Sequence, residues 1–478
     1  MIGPFWYDES DPGQLLVETA RRLEMNQSDR RDLYLRHACL YGDIPLLGLS
    51  PSTYARVDPT EMRVSLNVIK SVCDAFQAEL SASRVKATFL TEKGKYDLRQ
   101  RAQGLDRFVE GAFYESELFD IGDELLLHAP VWGNGYARID DDPDGFRVEK
   151  HFPWEILVDD ADAVRGTPRC LIYRGYEPRA VVARRHPNMK REIMGAPSVA
   201  SQDSWTSWAN STTADIILVT EGWCLPTAKG AKDGVYAVAL DNGKCIHKSG
   251  YEESFFPIVP MRRAKPPMGF HAMGCAENLT GLQIEVNSIL LDLQDARALY
   301  ARPRWFVDIR SSVQTAHLND DIDNIVKYNS AGNKPEVYVP QVMPPEVYRQ
   351  LWDLYAKAYE IEGISQLAAQ AVKPAGIESG AALRSLGDTQ AKRHMVAHHQ
   401  VERFYLNASK CFIAAARRLA AKKPDLVVKS AQKTFFEVAK YADYALEEDQ
   451  YALRVYPTSA LQGKIGRASC RERVSSPV

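Results

Sequence analysis

Apolar residues recur every three or four positions at Leu279, Leu282, Val286, Ile289, Leu290 and Leu293. That spacing predicts one amphipathic helix over residues 277–300, about 36 Å long and stopped by Pro303. The same period at Val68, Val72, Ala75, Phe76 and Leu80 predicts a helix behind Asn67, a good N-cap. Residues 97–128 read as helix, as does the aromatic N-terminal part up to Tyr41, and a Pro- and Gly-punctuated link covers 42–59. A helix from Glu346 halts at Gly363. A small-residue loop follows, and a further helix runs over 379–421 with Ser379 as its N-cap. Elsewhere the period is two. Val85, Ala87 and Phe89 alternate with polar residues, and strands are expected at 170–176, 215–224, 234–240, 255–261 and 441–457. Gly133-Asn134-Gly135 and Asp144-Gly145 read as turns between alternating segments, and the Trp-bearing stretch 198–213 as a loop. Residues 130–262 are thus β-rich within a chain of long helices, an α+β pattern.

With 478 residues and 45% hydrophobic content, the chain can fill two to four subdomains. Mean hydropathy is −0.31, no apolar run approaches bilayer length, and the N-terminus lacks the basic and apolar regions of a signal peptide. A soluble protein made in a cytoplasm is expected. The eight cysteines are scattered without a C-x-x-C pair, which suggests free thiols. The formal charge of −3 lacks the basic excess of a protein that grips nucleic acid. It leaves room for one along which DNA slides.

Residues 464–474, KIGRASCRERV, look like a translated sequencing-library adapter, so 463–478 are set aside from fold reasoning. Lys464, Arg467, Arg471 and Arg473 against Glu472 carry +3, so the rest of the chain carries −6. On this reading the natural chain continues past about Gln462.

Three motifs invite chemistry. Asp140, Asp142, Asp144 and Gly145 match half of an EF-hand loop, but His151 stands where the bidentate Glu belongs and Pro143 interrupts, so a hairpin turn is expected. His394 and His398 have the i, i+4 spacing of a metal pair, yet Met395 replaces the Glu of H-E-x-x-H; exposed or subunit-facing histidines are the plainer reading. Glu378 occupies the centre of a Gly-x-x-x-Gly stretch that superficially looks like a nucleophile elbow. No P-loop occurs, and no nucleophile, base and orienting group assemble, so no catalysis, metal or cofactor is expected. Trp205 and Trp208 read as packing rather than as a base-stacking pair.

Extended patterns over about residues 30–460 resemble the portal proteins of tailed bacteriophages. SLNVIKSVCDAFQAELSASRVKATFLT resembles the family's early wing helix and strand. HAPVWGNGYARIDDDPDGFRVEKHFPWEILVDDADA resembles its glycine-turn hairpin. PMGFHAMGCAENLTGLQIEVNSILLDLQDARALYARPRWFVD resembles the first stem helix entering the clip, and GISQLAAQAVKPAGIESGAALRSLGDTQAKR the tunnel loop and following helix. The resemblance implies an α+β portal-like fold. Its parts are a wing over 1–270, a first stem helix over 271–302, a small α/β clip over 303–343 and a second stem helix over 344–363. A tunnel loop over 364–378 and a long helix returning to the wing over 379–462 complete it; the C-terminal crown is missing.

It also implies a ring, commonly a dodecamer, at one capsid vertex of the virion, assembled in the host cytoplasm. Double-stranded DNA passes non-specifically through such a channel. The implied partners are the terminase large subunit, the major capsid and scaffolding proteins and the head-completion or adaptor proteins, with no membrane. Glu285, Asp292 and Asp295 become candidates for an acidic lumen that repels phosphate; an ordinary solvated helix face is the alternative. Gly363 and Gly376 would hinge the loop and Pro374 stiffen it. Lys373 would brush DNA, unless it faces solvent or pairs with Glu378 of a neighbouring copy. Another virion structural protein, a minor head or adaptor protein, is the competing expectation. A packaging enzyme is disfavoured by the missing P-loop.

Overall fold

The computed structural model describes residues 5–42, 66–81, 85–91, 96–143, 145–198, 214–301, 304–306, 336–338, 344–364, 393–423, 427–431, 436–444 and 451–457. The chain opens with helices α1 (Gly13–Asn26), α2 (Ser28–Gly42) and α3 (Val68–Ser81). Strand β1 (Val85–Thr91) precedes α4 (Tyr96–Glu115) and α5 (Leu118–Trp132). Then come β2 (Asn134–Asp142), β3 (Gly145–His151), β4 (Ile156–Leu157), β5 (Cys170–Pro178), α6 (Arg179–Arg185) and α7 (Lys190–Gly195). Strands β6 (Ile216–Cys224), β7 (Val235–Leu240), β8 (Cys245–Gly250) and β9 (Ile258–Arg262) follow. Helix α8 (Cys275–Ala301), strands β10 (Arg304–Phe306) and β11 (Glu336–Tyr338), and helix α9 (Pro345–Glu362) form the next part. The last described elements are α10 (Met395–Lys422), β12 (Val427–Ala431), β13 (Phe436–Lys440), α11 (Tyr441–Tyr444) and β14 (Tyr451–Pro457). The fold is α+β.

Two antiparallel sheets carry most of the strands. One has the order β3-β2-β9; the other is a meander, β4-β5-β6-β7-β8. The remaining strands pair in twos, β1 with β14, β10 with β11 and β12 with β13. The largest core lies where α3, α4, α5 and α10 cover the β2 sheet, with Phe108, Phe113, Phe404 and Phe412 buried at its centre. Consecutive alanines Ala414, Ala415 and Ala416 of α10 are all buried. Side chains this short let the helix lie close against β2 and β9. Asn67 caps α3 as expected: its Oδ1 accepts from the Lys70 N–H at 2.8 Å.

Several sequence expectations need correction. Residues 97–128 are two helices, not one. The break falls at Glu117, whose φ of 54° is left-handed, and it lets Phe113 and Phe119 meet at 5.7 Å. Helix α5 also runs on to Trp132, through a buried Pro130. Gly133-Asn134-Gly135 is therefore not a strand-to-strand turn but a helix-to-strand corner. Gly133 takes φ 81° there, where a Cβ would stand 1.9 Å from the Ala272 carbonyl oxygen, so only glycine fits. Residues 441–444 are helix α11 rather than strand, and the strand proper starts at Tyr451. The expected strand at 255–261 is confined to β9. The short elements β8, α6 and α7 have no counterpart in the sequence reading. The Asp144-Gly145 hairpin is present as β2–β3, with Asp142 opposite Gly145.

Candidate functional site

Helices α8 and α9 are the long pair that periodicity places at 277–300 and 346–362, and they run antiparallel. Near one end Asn278 donates to the Glu362 carboxylate at 2.9 Å. Further along, Val286 and Ile289 pack on Leu351. Strands β10 and β11 pair just past α8 and ahead of α9, at the opposite end from Asn278. The base of the hairpin is fixed in the main body. Gln283 accepts the Val68 N–H at 2.8 Å, and Tyr359 donates to Ser71 at 2.9 Å. Beyond that base, large apolar side chains stay uncovered: Ile284 and Leu291 on α8, Tyr348 and Trp352 on α9, with Trp352 61% exposed. Trp352 and Tyr355 stand edge to face at 5.9 Å, and Tyr355 and Tyr359 at 5.1 Å. This aromatic row starts inside the core at Tyr359 and climbs into solvent.

Glu285, Asp292 and Asp295 are all exposed on α8. At 100° per residue they fall within about 80° of one another, next to the Ile284–Leu291 flank. The structure therefore gathers these three acids on one stripe. Lys373, Pro374, Gly376, Glu378 and Ser379 lie outside the described residues, as do Trp205 and Trp208. Gly363 is described. It ends α9 with φ 75°, the left-handed cap that favours glycine.

The two ends of the 365–392 segment meet at this cap. Arg393 donates to the Glu360 carbonyl at 3.2 Å, and a Cβ on Gly363 would touch the Arg393 side chain. His394 lies 3.1 Å from the Glu362 carbonyl through Nε2 and 2.7 Å from the Glu79 carboxylate through Nδ1. The exposed or subunit-facing reading of His394 is thus overturned: it is buried, because two acceptors and the Phe76 ring enclose it. His399 is exposed beside Glu402. The Glu362 carboxylate, itself buried, also takes the Arg263 guanidinium just past β9, so it ties α8 and the end of β9 to α9, while the Glu362 carbonyl holds His394 at the start of α10.

Burial pulls the His394 pKa down, but the hydrogen bonds to Glu79 and to the Glu362 carbonyl outweigh it. Arg263 opposes them weakly, and the net shift is upward. A raised folded-state pKa means the node is strongest below the ordinary histidine value of 6.5 and weakens as pH rises through the folded value. Replacing His394 by Gln is expected to cost about 1.5–3 kcal/mol below that pH, the worth of charge-assisted hydrogen bonds, and less above it. Urea midpoints of the two proteins on either side of the histidine range check this. A deficit that does not change with pH would refute the assignment.

A second polar site lies between the sheets. Arg138 on β2 is fully buried and makes a bidentate contact with Glu221 on β6, both distances 2.7 Å. Arg147 on β3 reaches Glu177 on β5 at 2.7 Å, and Arg185 on α6 reaches Asp142 at 2.9 Å. Arg418 on α10 holds Asp140 and Asp141, each at 2.6 Å. Of the would-be EF-hand carboxylates, Asp140 and Asp142 are thus engaged by arginines, and Asp144 lies outside the described residues. Around this network is a cleft of about 970 Å³, with Trp223, His186 and His247 in its wall. Burial, and then the neighbouring His247, lowers His186 to about 4, so its ring is neutral at pH 7. Most of the cations named here already have carboxylate partners, so the arrangement welds two sheets. Sequence reading missed it, because no local spacing links positions as far apart as 138 and 221. Among the described residues, no cluster of His, Cys, Asp and Glu suits a metal ion, and no helix is long and apolar enough to cross a membrane.

No protein-family model matches the chain, and no curated protein matches it.

Proposed function

We propose that this chain is the subunit of a phage portal ring, a homo-oligomer, commonly of twelve, that forms the DNA channel at one capsid vertex. The observation that carries the reading is the α8/α9 hairpin. It is rooted in the body at one end, flanked by a strand pair at the other, and bare of cover along apolar stretches of both helices. Such a hairpin suits a stem that buries its flanks against sibling copies. The exposed stripe of Glu285, Asp292 and Asp295 beside the apolar flank suits a lumen that repels phosphate. The 365–392 segment, leaving and returning at the Gly363–Arg393 contact, suits a loop projected from the stem base. On this reading the β10–β11 end is the clip that meets the terminase large subunit. The sheets of 134–262 belong to the wing facing the capsid shell, and head-completion proteins dock on the same ring. The role is structural, with DNA passing through rather than being processed.

Negative-stain microscopy of the purified chain tests the reading. A turbine-shaped ring with an axial hole is expected. Monomers at high concentration, or flat sheets, would refute it and favour a minor head or adaptor protein.

A further inference from the structure

Cys170 on β5 and Cys224 on β6 are 54 positions apart in sequence and directly opposite in register. Their sulfurs lie 2.9 Å apart. The ladder shows which kind of pair they are. The Leu225 N–H bonds to the Arg169 carbonyl at 2.8 Å, so 169 and 225 form a hydrogen-bonded pair. The next pair along, Cys170 and Cys224, is non-hydrogen-bonded. Facing Cα atoms in such pairs stand about 4.5 Å apart, within the span a disulfide bridges. From this geometry we infer that Cys170 and Cys224 are a cross-strand modification site, closed to a disulfide by small organic disulfides of the glutathione class and reopened by thiols.

Access and chemistry both suit that step. Cys224 is buried beneath Trp6 and Leu16, whereas Cys170 is half-exposed. The Cys170 thiol donates to Cys224, which lowers the Cys224 pKa, and the Arg169 guanidinium favours a thiolate there further. The same hydrogen bond, and then burial, raise the Cys170 pKa, so once the pair has lost its first proton the shared proton must pass to Cys224 to leave a thiolate on the more accessible Cys170. A thiolate at Cys170 attacks the organic disulfide, forms a mixed disulfide and releases one small thiolate. The Cys224 sulfur, as thiolate, then displaces the second small thiol from Cys170. Two protein thiols are oxidised, one organic disulfide is reduced to two thiols, and two protons pass to the released thiolates. The bond closes a long loop that includes α6 and α7, which constrains the unfolded chain.

The test uses the native full chain incubated with oxidised glutathione. The expected result is a loss of two titratable thiols, a peptide map joining 170 to 224, and a higher melting temperature that dithiothreitol reverses. Cys170→Ser is expected to abolish the link, and Cys245→Ser, at another partly exposed thiol, to keep it. The inference is overturned if the native chain keeps all its thiols, if other cysteines join, if a glutathione adduct persists without closure, or if closure needs prior unfolding in urea.

Discussion

Replacing Arg138 by methionine is expected to cost about 3–5 kcal/mol, the penalty for leaving a buried charge without its partner. That is a large share of the roughly 5–15 kcal/mol holding a typical domain together. Glu221 is 3% exposed and would keep only the Tyr236 hydroxyl at 2.6 Å and Arg147 at 3.5 Å. Removing both charges together is a different matter. The pair Arg138→Met with Glu221→Leu is expected to recover most of the loss, since apolar replacements of similar volume avoid the desolvation cost. Urea unfolding of the four proteins in the cycle measures the coupling. A single-variant cost below about 1 kcal/mol would show that water reaches the pair.

The same network sets the acid limit. Burial pushes the Glu221 pKa up, but Arg138 more than reverses this and holds it well below the ordinary value of 4.5. Glu149 behaves alike: burial raises its pKa, the hydrogen bond from Arg147 lowers it, and it settles at about 2. Carboxylates with depressed folded-state pKa values stabilise above their unfolded values, and the contribution is lost as pH falls through the folded ones. The native protein therefore loses stability from about pH 4.5 downward. In Arg138→Met the orphaned Glu221 takes up a proton more readily, so the variant's deficit narrows on acidification.

How much of this was legible in the sequence differs by element. Helices α3, α8 and α9 were readable because each buries one face, at Val72 and Phe76, at Leu279 and Val286, and at Leu351 and Ala358. Periodicity reports that directly. The α4–α5 break was not readable, since Glu117 carries no turn signature and the left-handed kink repays itself only through the distant aromatic packing of Phe113, Phe119 and Tyr405. The extra strand β8 was too polar to alternate clearly. The acids of α8 could be named from helical spacing because one element carries all three. The His394 node could not, because its partners Glu79 and Glu362 come from two other helices. Cys170 and Cys224 are brought together only by the β5–β6 register, which a count of cysteine spacings does not contain.

If the chain forms the proposed ring, Trp352→Glu is expected to abolish assembly while leaving the single chain folded. Tyr348 and Trp352 share one face of α9 and are exposed, so their removal disturbs little within the subunit, within about 0.5 kcal/mol. In a closed ring each copy meets its neighbours through heterologous contacts, and one substitution strikes every interface at once. A buried Trp anchor is worth about 2 kcal/mol or more, roughly thirtyfold in affinity at each contact. Spread around the ring, that loss dissolves the closed form. Sedimentation velocity beside the melting temperature separates assembly from folding. Trp352→Phe, which keeps an apolar ring, is expected to retain assembly. Asp292→Asn, on the acid stripe, is expected to leave assembly unchanged, because that stripe faces the lumen on the portal reading. A Trp352→Glu chain that sediments as the unaltered protein does would remove the α9 aromatic row from the subunit contact. The stem reading would then rest on the α8 flank of Ile284 and Leu291 alone.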